Sequence, residues 1–361
     1  MSEAPADERS IEQVLDFTKL GTGKSVFQNI NAVSCYINCA LQSLMHLDEF
    51  KLVFMAPPPA PEMLIYWSLR AIYKGYWEEN CVIRPTGIFA YLDKCGFPAG
   101  WQGDSTEVLT FIIQKMHESI GVAMAPAPAE EAPEAEAEAP SMEVLSVKDW
   151  RHHLEQKQSE VVNLFWGQYL NTKVCGTCTK PLYKFETFHY LTLAVAGEGD
   201  AEADITGPIT FEVLVARFRQ KKQFDRDNLF FCDTCKQKVP QATDELSVWK
   251  LPRYLIVQFN RYHSRGGPTQ KCNRNIIFPL TFNPAILQGS ASASGSASDG
   301  SMYQLQSGVF HHGQIHGGHY TYFGWNRDTR EWIHIDDDTL HTLRGAISNH
   351  PGIYQLIYKL T

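Results

Sequence analysis

Cys35 is the first residue along the chain whose type and setting could do chemistry. It opens the run Ser34-Cys35-Tyr36-Ile37-Asn38-Cys39-Ala40-Leu41-Gln42-Ser43-Leu44, in which Ile37, Ala40, Leu41, Leu44 and Met45 fall on one face of a helix. The preceding Gln28-Asn29-Ile30-Asn31-Ala32-Val33 reads as loop, with Ser34 able to cap. A thiol at a helix N-terminus sits in the partial positive charge of unpaired N–H groups, which favours the nucleophilic thiolate. An inert cysteine at the start of a core helix fits the same pattern. A base elsewhere in the chain decides between the two.

Val309 to Phe323 is dense in His and Gly, and within it His319 follows Gly317-Gly318 and precedes an alternating aromatic strand. Imidazole can take a proton from a thiol and return it to a leaving amine near neutral pH. A third group must hold the ring in one tautomer and orientation. The stretch Glu331-Trp332-Ile333-His334-Ile335 reads as a strand ending in Asp336, Asp337 and Asp338. A hairpin of this length sets Asp336 beside His319, with Asp337 as a second contact or a water-positioning group. His311, His312 and His316 fit either a metal site or a solvated loop.

Four more cysteines form two Cys-x-x-Cys knuckles, Cys175/Cys178 and Cys232/Cys235, separated by residues 179–231. Two such knuckles brought together make a tetrahedral four-thiolate cage for Zn2+. A closed cage has no open position for water, so it ties hairpins together and takes no part in catalysis. Redox or incidental cysteine pairs are the alternative, and the matched spacing favours zinc.

The elements that must position these groups follow from pattern and composition. With 361 residues, 44% hydrophobic and 20% charged, the chain has ample core for one large domain or two ordinary ones. A net charge of −8 argues against a nucleic-acid partner. Met1 to Ser10 is polar, and no apolar run approaches the roughly 18 residues of a membrane span, so neither a secretory leader nor a membrane partner is expected. Nine cysteines without an export signal suggest a reducing, intracellular setting, cytoplasmic or nuclear.

Residues 1–22 read as a flexible lead-in with a short helical stretch near Ile11–Phe17. Helices are expected over 35–52, 62–77, 85–94 and 147–158. Another begins after Asp104, with Val108, Leu109, Ile112, Ile113 and Met116 buried. The Ala/Pro/Glu tract 123–143 reads as a disordered insertion, and 289–301 has the composition of a flexible linker. Strands are expected over 161–190, 246–262 and 303 to the C-terminus. Helices first and strands after make an α+β fold.

These blocks together resemble the ubiquitin-specific protease family, the papain-like cysteine deubiquitinases, over residues 23–361. Ser34-Cys35-Tyr36-Ile37-Asn38 with Leu41-Gln42 resembles its Cys box. Gln102-Gly103-Asp104-Ser105-Thr106-Glu107-Val108-Leu109 resembles its Gln-Gln-Asp segment. Leu251-Pro252-Arg253-Tyr254-Leu255, Asn260-Arg261-Tyr262, Lys271 and Phe278-Pro279 resemble its central block. Gly317-Gly318-His319-Tyr320 with Trp332, Asp336 and Asp337 resembles its His box. The resemblance implies a papain-like catalytic domain with a helical thumb carrying Cys35 and a β-rich palm carrying His319 and Asp336. It also implies zinc-bearing hairpin fingers, and hydrolysis of the isopeptide bond after the C-terminal glycine of ubiquitin. It makes Gln102, Asp104, Glu107, Gly317, Gly318 and Tyr320 the substrate-binding set. The carboxylates of Asp104 and Glu107 would face a basic tail. For both, an acid complementing the helix dipole is the plainer reading. Gly317 and Gly318 would line a channel narrow enough for a Gly-Gly end.

The chain departs from the family at the loop before the nucleophile. The family's oxyanion-hole Asn corresponds to Ile30 and its Gly to Ala32, while Asn31 is an amide one residue away. Loss of one oxyanion donor costs on the order of 10²–10³ in rate. Gly103 replaces the second Gln of the Gln-Gln-Asp segment, and Tyr262 a Phe. Two other functions fit these departures: the same fold acting on a ubiquitin-like modifier, or a catalytically impaired module that binds ubiquitin or ubiquitinated proteins.

Overall fold

The structure, a computed structural model, describes residues 24–55, 59–97, 99–125, 140–197, 207–224, 228–264, 267–289, 300–315 and 317–361. The expected lead-in, the helical stretch near Ile11–Phe17, most of the acidic tract, most of the linker-like segment and His316 lie outside these residues. The chain divides into two compact units. The first comprises residues up to Ile120 with Gln306–Ile347 and Gly352–Leu356. The second comprises Gly121–Leu305, Ser348–Pro351 and Ile357–Thr361.

At the centre of the first unit is α1 (Cys35–Met45), every residue of which is buried. Its sequence carries no charge, as a helix covered on all sides requires. Asn38, Gln42 and Ser43 each make a hydrogen bond inside, while Asn38 Oδ1 and Gln42 Nε2 stay without one among the described residues. Asn38 Nδ2 donates to the carbonyls of Phe27 and Gln28 at 3.4 and 3.3 Å. Gln42 Oε1 accepts from the Tyr76 hydroxyl at 2.6 Å, and Ser43 Oγ donates to Cys39 O at 2.9 Å. The helix stops at His46 rather than near Leu52. Asp48, a poor interior residue, is followed by the 3-10 turn Phe50–Phe54. α2 (Leu64–Glu78) and α3 (Thr86–Lys94) fall close to the expected spans. α4 (Ser105–Ile120) buries the five stripe residues to within 1% exposure.

The same unit contains an antiparallel meander made of Gln306 to Gln314, the His strand (Gly317–Asn326), the acid strand (Glu331–Asp336) and Thr339–Leu343. α1 packs on the His strand, where the Tyr322 ring stacks on His46 at 5.2 Å. The register Tyr322↔Ile335 places Asp336 opposite Thr321, two residues from His319 on the same face. The residue periodicity of two brings base and acid together.

In the second unit a four-stranded antiparallel sheet runs in the order Pro181–Phe188, Gly167–Val174, Thr243–Lys250, Lys222–Gln223. The acidic tract is bracketed by a two-stranded ribbon pairing Val122–Ala123 with Lys157–Gln158. α5 (Met142–His153) starts earlier than expected because Ser141 caps it, accepting from Val144 N–H. It packs on the edge strand Pro181–Phe188, and Asp149 Oδ2 accepts from the Phe185 N–H at 3.2 Å. That contact blunts an edge otherwise open to pairing. α6 (Glu160–Phe165), capped by Ser159, stands where a strand was expected to begin, and α7 (Phe211–Phe218), capped by Thr210, lies in a stretch with no expected element. In both, the cap and a first-turn Glu override the β-branched content of Val161-Val162 and Val213 to Val215. The α+β class and the order of helices then strands are as expected. Among the described residues no helix is long and apolar enough to cross a membrane.

Candidate functional site

The nucleophile position is built from the loop upward. Asn38, one turn into α1, holds the strand Val26–Phe27 and Gln28 by its amide, which anchors the loop entering the helix. Ser34 is the formal N-cap, yet its hydroxyl does not cap the helix. It turns back into the loop, accepting from Ile30 N–H at 2.7 Å and donating to Asn29 Oδ1 at 3.1 Å. The Ser34 N–H also donates to Asn29 Oδ1, at 2.9 Å. Closing this ring puts Asn31 (φ 55°, ψ 22°) and Ala32 (φ 55°) in the left-handed region. Asn tolerates that conformation; Ala pays a steric penalty of roughly 1–2 kcal/mol. Cys35 follows as the first residue of α1 and is 3% exposed.

His319 stands between thiol and acid. Its Nε2 is bonded to Asp336 Oδ1 at 2.6 Å, and Asp337 Oδ2 lies 3.9 Å from the same nitrogen. The same imidazole interacts with the Cys35 side chain. The Cys35 interaction, opposed by partial burial and helped by the Asp336 bond, pushes His319 up to about 9 from an ordinary 6.5. Burial pushes the Asp337 carboxyl upward, while the Asn29 amide and His319 pull it back. The arrangement places an imidazole where it can take a proton from a thiol and return it. Cys35, His319, Asp336 and Asp337 are thus brought together.

Gln102 acts as a backbone clamp. Its Nε2 donates to Gly318 O and its Oε1 accepts from Gly318 N–H, both at 3.3 Å, which fixes the residue preceding His319. A Cβ at Gly318 would collide with the His311 ring and the His312 carbonyl. His311 is buried and stacked on Tyr320 at 4.5 Å, with Tyr354 edge-on to both. Tyr320 itself is 8% exposed, so its ring supports the His strand from the core side. Gly317 leaves room beside the Gln102 amide.

Asp104 is the N-cap of α4. Its Oδ1 accepts from the N–H groups of Thr106 and Glu107 at 2.7 and 3.1 Å, and its Oδ2 accepts from the Tyr354 hydroxyl. Glu107, by contrast, is exposed and makes no side-chain bond among the described residues. A Cβ on Gly103 would lie 2.7 Å from the Tyr36 ring, so the missing side chain makes room for that ring. Asn31 is exposed at the tip of its turn and makes no side-chain hydrogen bond among the described residues. Asn29, which with Asn31 flanks Ile30, carried no assigned role from the sequence.

In the second unit the four knuckle cysteines converge. Their sulfurs all lie within 4.8 Å of one another, with Cys175 to Cys235 at 3.9 Å and Cys178 to Cys232 at 3.7 Å. Tetrahedral zinc with 2.3 Å bonds to sulfur sets such edges at about 3.8 Å, so the cage fits that ion. The Cys175–Cys178 turn follows the strand end Val174, and the other pair sits on the ribbon Phe230–Cys232/Gln237–Val239. A Cβ on Gly176 would lie 2.6 Å from the Gln241 carbonyl, so only Gly lets the knuckle approach. The Cys178 and Thr177 N–H groups point at Cys175 Sγ and bring that thiol down to about 6. Among the described residues all nine cysteines are free of disulfides.

The fold resembles that of the yeast SAGA DUB module solved with a mutant Sgf73, with a TM-score of 0.69 and 20% identity, covering 99% of this chain and 73% of that one. The SAGA DUB module bound to ubiquitin aldehyde gives the same TM-score and identity, covering 95% and 70%. Among curated relatives, ubiquitin carboxyl-terminal hydrolase 4 of Candida glabrata is 26% identical over 98% of this chain and 42% of its own length. Ubiquitin carboxyl-terminal hydrolase 21 of Bos taurus is 25% identical over 94% of this chain and 62% of its own. The chain therefore spans between about two fifths and three fifths of these relatives. The family model described as ubiquitin carboxyl-terminal hydrolase matches residues 27–358, with the thiol, imidazole and carboxylates inside the match. By that match the chain belongs to the ubiquitin carboxyl-terminal hydrolase family.

Proposed function

We propose that the chain is a thiol-dependent hydrolase that cleaves the isopeptide bond after the C-terminal glycine of ubiquitin, using Cys35, His319 and Asp336. The observation that carries this reading is the imidazole bonded to Asp336 and interacting with Cys35, within a member of this family. His319 takes the Cys35 proton on Nδ1, and the sulfur attacks the carbonyl carbon. The tetrahedral oxyanion is met by the Cys35 N–H at the start of α1. Ile30 carries no amide, so the exposed Asn31 is assigned the second contact. Collapse breaks the C–N bond, and the amine leaves with the His319 proton. Water then attacks the thioester, gives a proton back to His319 and releases the carboxylate and Cys35. Asp336 holds the Nε2 proton throughout, and Asp337 adds negative charge beside the imidazolium.

For substrate binding, Glu107 is the exposed carboxylate available to a basic tail. Asp104 keeps α4 in place for it, and Gln102 and Gly318 shape the backbone next to the thiol. Zn2+ held by Cys175, Cys178, Cys232 and Cys235 would supply structural cross-linking. Four thiolates and a reactive thiol suit a reducing intracellular compartment.

The test is intact mass after incubation with ubiquitin bearing a C-terminal propargylamide, with Cys35→Ala as control. One added ubiquitin, absent from the variant, is expected. An adduct only with another modifier's electrophile would reassign the substrate. No adduct from folded, zinc-loaded protein would make the chain a binding module.

A further inference from the structure

We infer that Asn29 is a positioning residue that ties the nucleophile loop to the acid strand, holding Ser34 and Asp337 with the two ends of one amide. The inference rests on the proposed catalytic roles of Cys35 and His319. Asn29 lies six residues before the thiol, and its side chain faces partners on both sides of the site. Oδ1 accepts from the Ser34 N–H at 2.9 Å and from the Ser34 hydroxyl at 3.1 Å. Nδ2 donates to Asp337 Oδ2 at 2.9 Å, across a separation of 308 residues. The orientation of the amide is dictated by its partners: an N–H needs the oxygen, and a carboxylate needs the nitrogen. No flipped rotamer would satisfy both ends.

The consequence for geometry is direct. Ser34 is covalently joined to Cys35, and Asp337 to Asp336, so the Asn29 amide bridges the residue before the thiol and the residue after the acid. His319 lies between, bonded to Asp336 and interacting with Cys35. The Asp337 oxygen that accepts from Asn29 is also the one 3.9 Å from His319 Nε2. Asp337 occupies a left-handed turn position (φ 49°), so its direction depends on the hairpin and on this bond. The charged groups facing Asp337 are His319, Asp336 and Asp338. Among these, Asn29 supplies a neutral donor that keeps the carboxylate ionised and aimed without adding charge.

Asn29→Asp separates the two ends. The new carboxylate is isosteric and still accepts from Ser34, so the loop keeps its bonds. It cannot donate to Asp337 while both are ionised, and it repels it. When pH falls, one proton shared between the two carboxylates restores an O–H···O link with the wild-type charge. The measurement is the rate of Cys35 alkylation by iodoacetamide against pH, followed by peptide mass, which needs neither ubiquitin nor turnover. The expected result is a rate about tenfold below wild type at pH 8, with the deficit shrinking as the pH is lowered toward 5.5. A ratio to wild type that stays at one, or that is reduced equally at every pH, overturns the inference. Asn29→Ala, Asp337→Ala and the double variant give a second readout. The double is expected to be no slower than the slower single, and multiplying factors would overturn the bridge. Failure of the catalytic reading shows itself separately: wild-type Cys35 would then alkylate no faster than it does in His319→Ala.

Discussion

The raised affinity of His319 for its proton should depend on Cys35 more than on any other group. The Cys35 interaction is the largest cause of the rise from 6.5 to about 9, ahead of Asp336 and the charge on Asp337. A rise of that size corresponds to about 3 kcal/mol at full strength. The side chain is 38% exposed, so solvent screening leaves about half of it. Replacing the thiol by Cys35→Ser removes the sulfur partner that contributes most to the rise. The His319 titration midpoint, read from its ring proton resonances, should then fall by at least one pH unit. The sign carries over to stability. His319 binds its proton more tightly in the folded state, so its contribution is complete below pH 6.5 and is lost as pH rises through about 9. In Cys35→Ser that window should narrow toward 6.5. The same midpoint in wild type and Cys35→Ser would refute the reasoning and leave the carboxylates as the source of the rise.

Three further perturbations follow from the geometry. Ala32→Gly removes a left-handed penalty of roughly 1–2 kcal/mol but adds about 0.4–1 kcal/mol of unfolded-chain freedom, so urea unfolding should show no loss and a gain of at most about 1.6 kcal/mol. Ala32→Val, β-branched at φ 55°, should lose more than 1 kcal/mol, and equal stability of the two variants would contradict the assigned backbone. Gly318→Ala forces its Cβ into His311 and the His312 carbonyl, and displacement of the adjoining His319 should lower kcat/KM on a fluorogenic ubiquitin amide about 10²-fold with secondary structure retained. Cys175→Ser should lower the zinc bound per chain and the thermal midpoint by several degrees, whereas Cys81→Ser, outside the cage, should do neither.

The parts of the site set by repeating geometry were legible in the sequence. Spacing placed His319 and Asp336 on one hairpin face, and the structure joins them at 2.6 Å. The paired Cys-x-x-Cys knuckles likewise announced a cage, since four sulfurs on two tight turns have few other uses. The polar detail was not legible. Ser34 carries the residue type of a cap, and nothing local shows that its hydroxyl turns away from the helix toward Asn29. Asp104 and Glu107 look alike in sequence, yet the fold gives one to N–H donors and Tyr354 and leaves the other exposed. α1 reads as one-faced because Asn38, Gln42 and Ser43 are polar; only their tertiary partners reveal that the whole helix is buried. The β-branched Val161-Val162 pair reads as strand, and it is helical because the Ser159 hydroxyl caps it, accepting from the Val162 N–H.

The loop before Cys35 runs through the left-handed region at Ala32 without a glycine there. Asn31 and Ala32 both have φ 55°, so the backbone path to the helix passes through two consecutive left-handed residues. Glycine would reach that path without strain; here the strain is offset by contacts. The Ile30 N–H, the Ser34 N–H and the Ser34 hydroxyl together form three hydrogen bonds within the loop, each worth about 1 kcal/mol. Their sum matches or exceeds the roughly 1–2 kcal/mol of strain at Ala32. Removing them therefore releases the loop rather than merely weakening it. Ser34→Ala deletes two of the three and should expose Cys35 to faster amide exchange on residues 30–35, while α1, held by Asn38 and its buried faces, stays protected. If exchange instead rose through α1 as well, the loop and helix would be one cooperative piece, and the strain at Ala32 would be carried by the helix and not by the ring of bonds around Asn29.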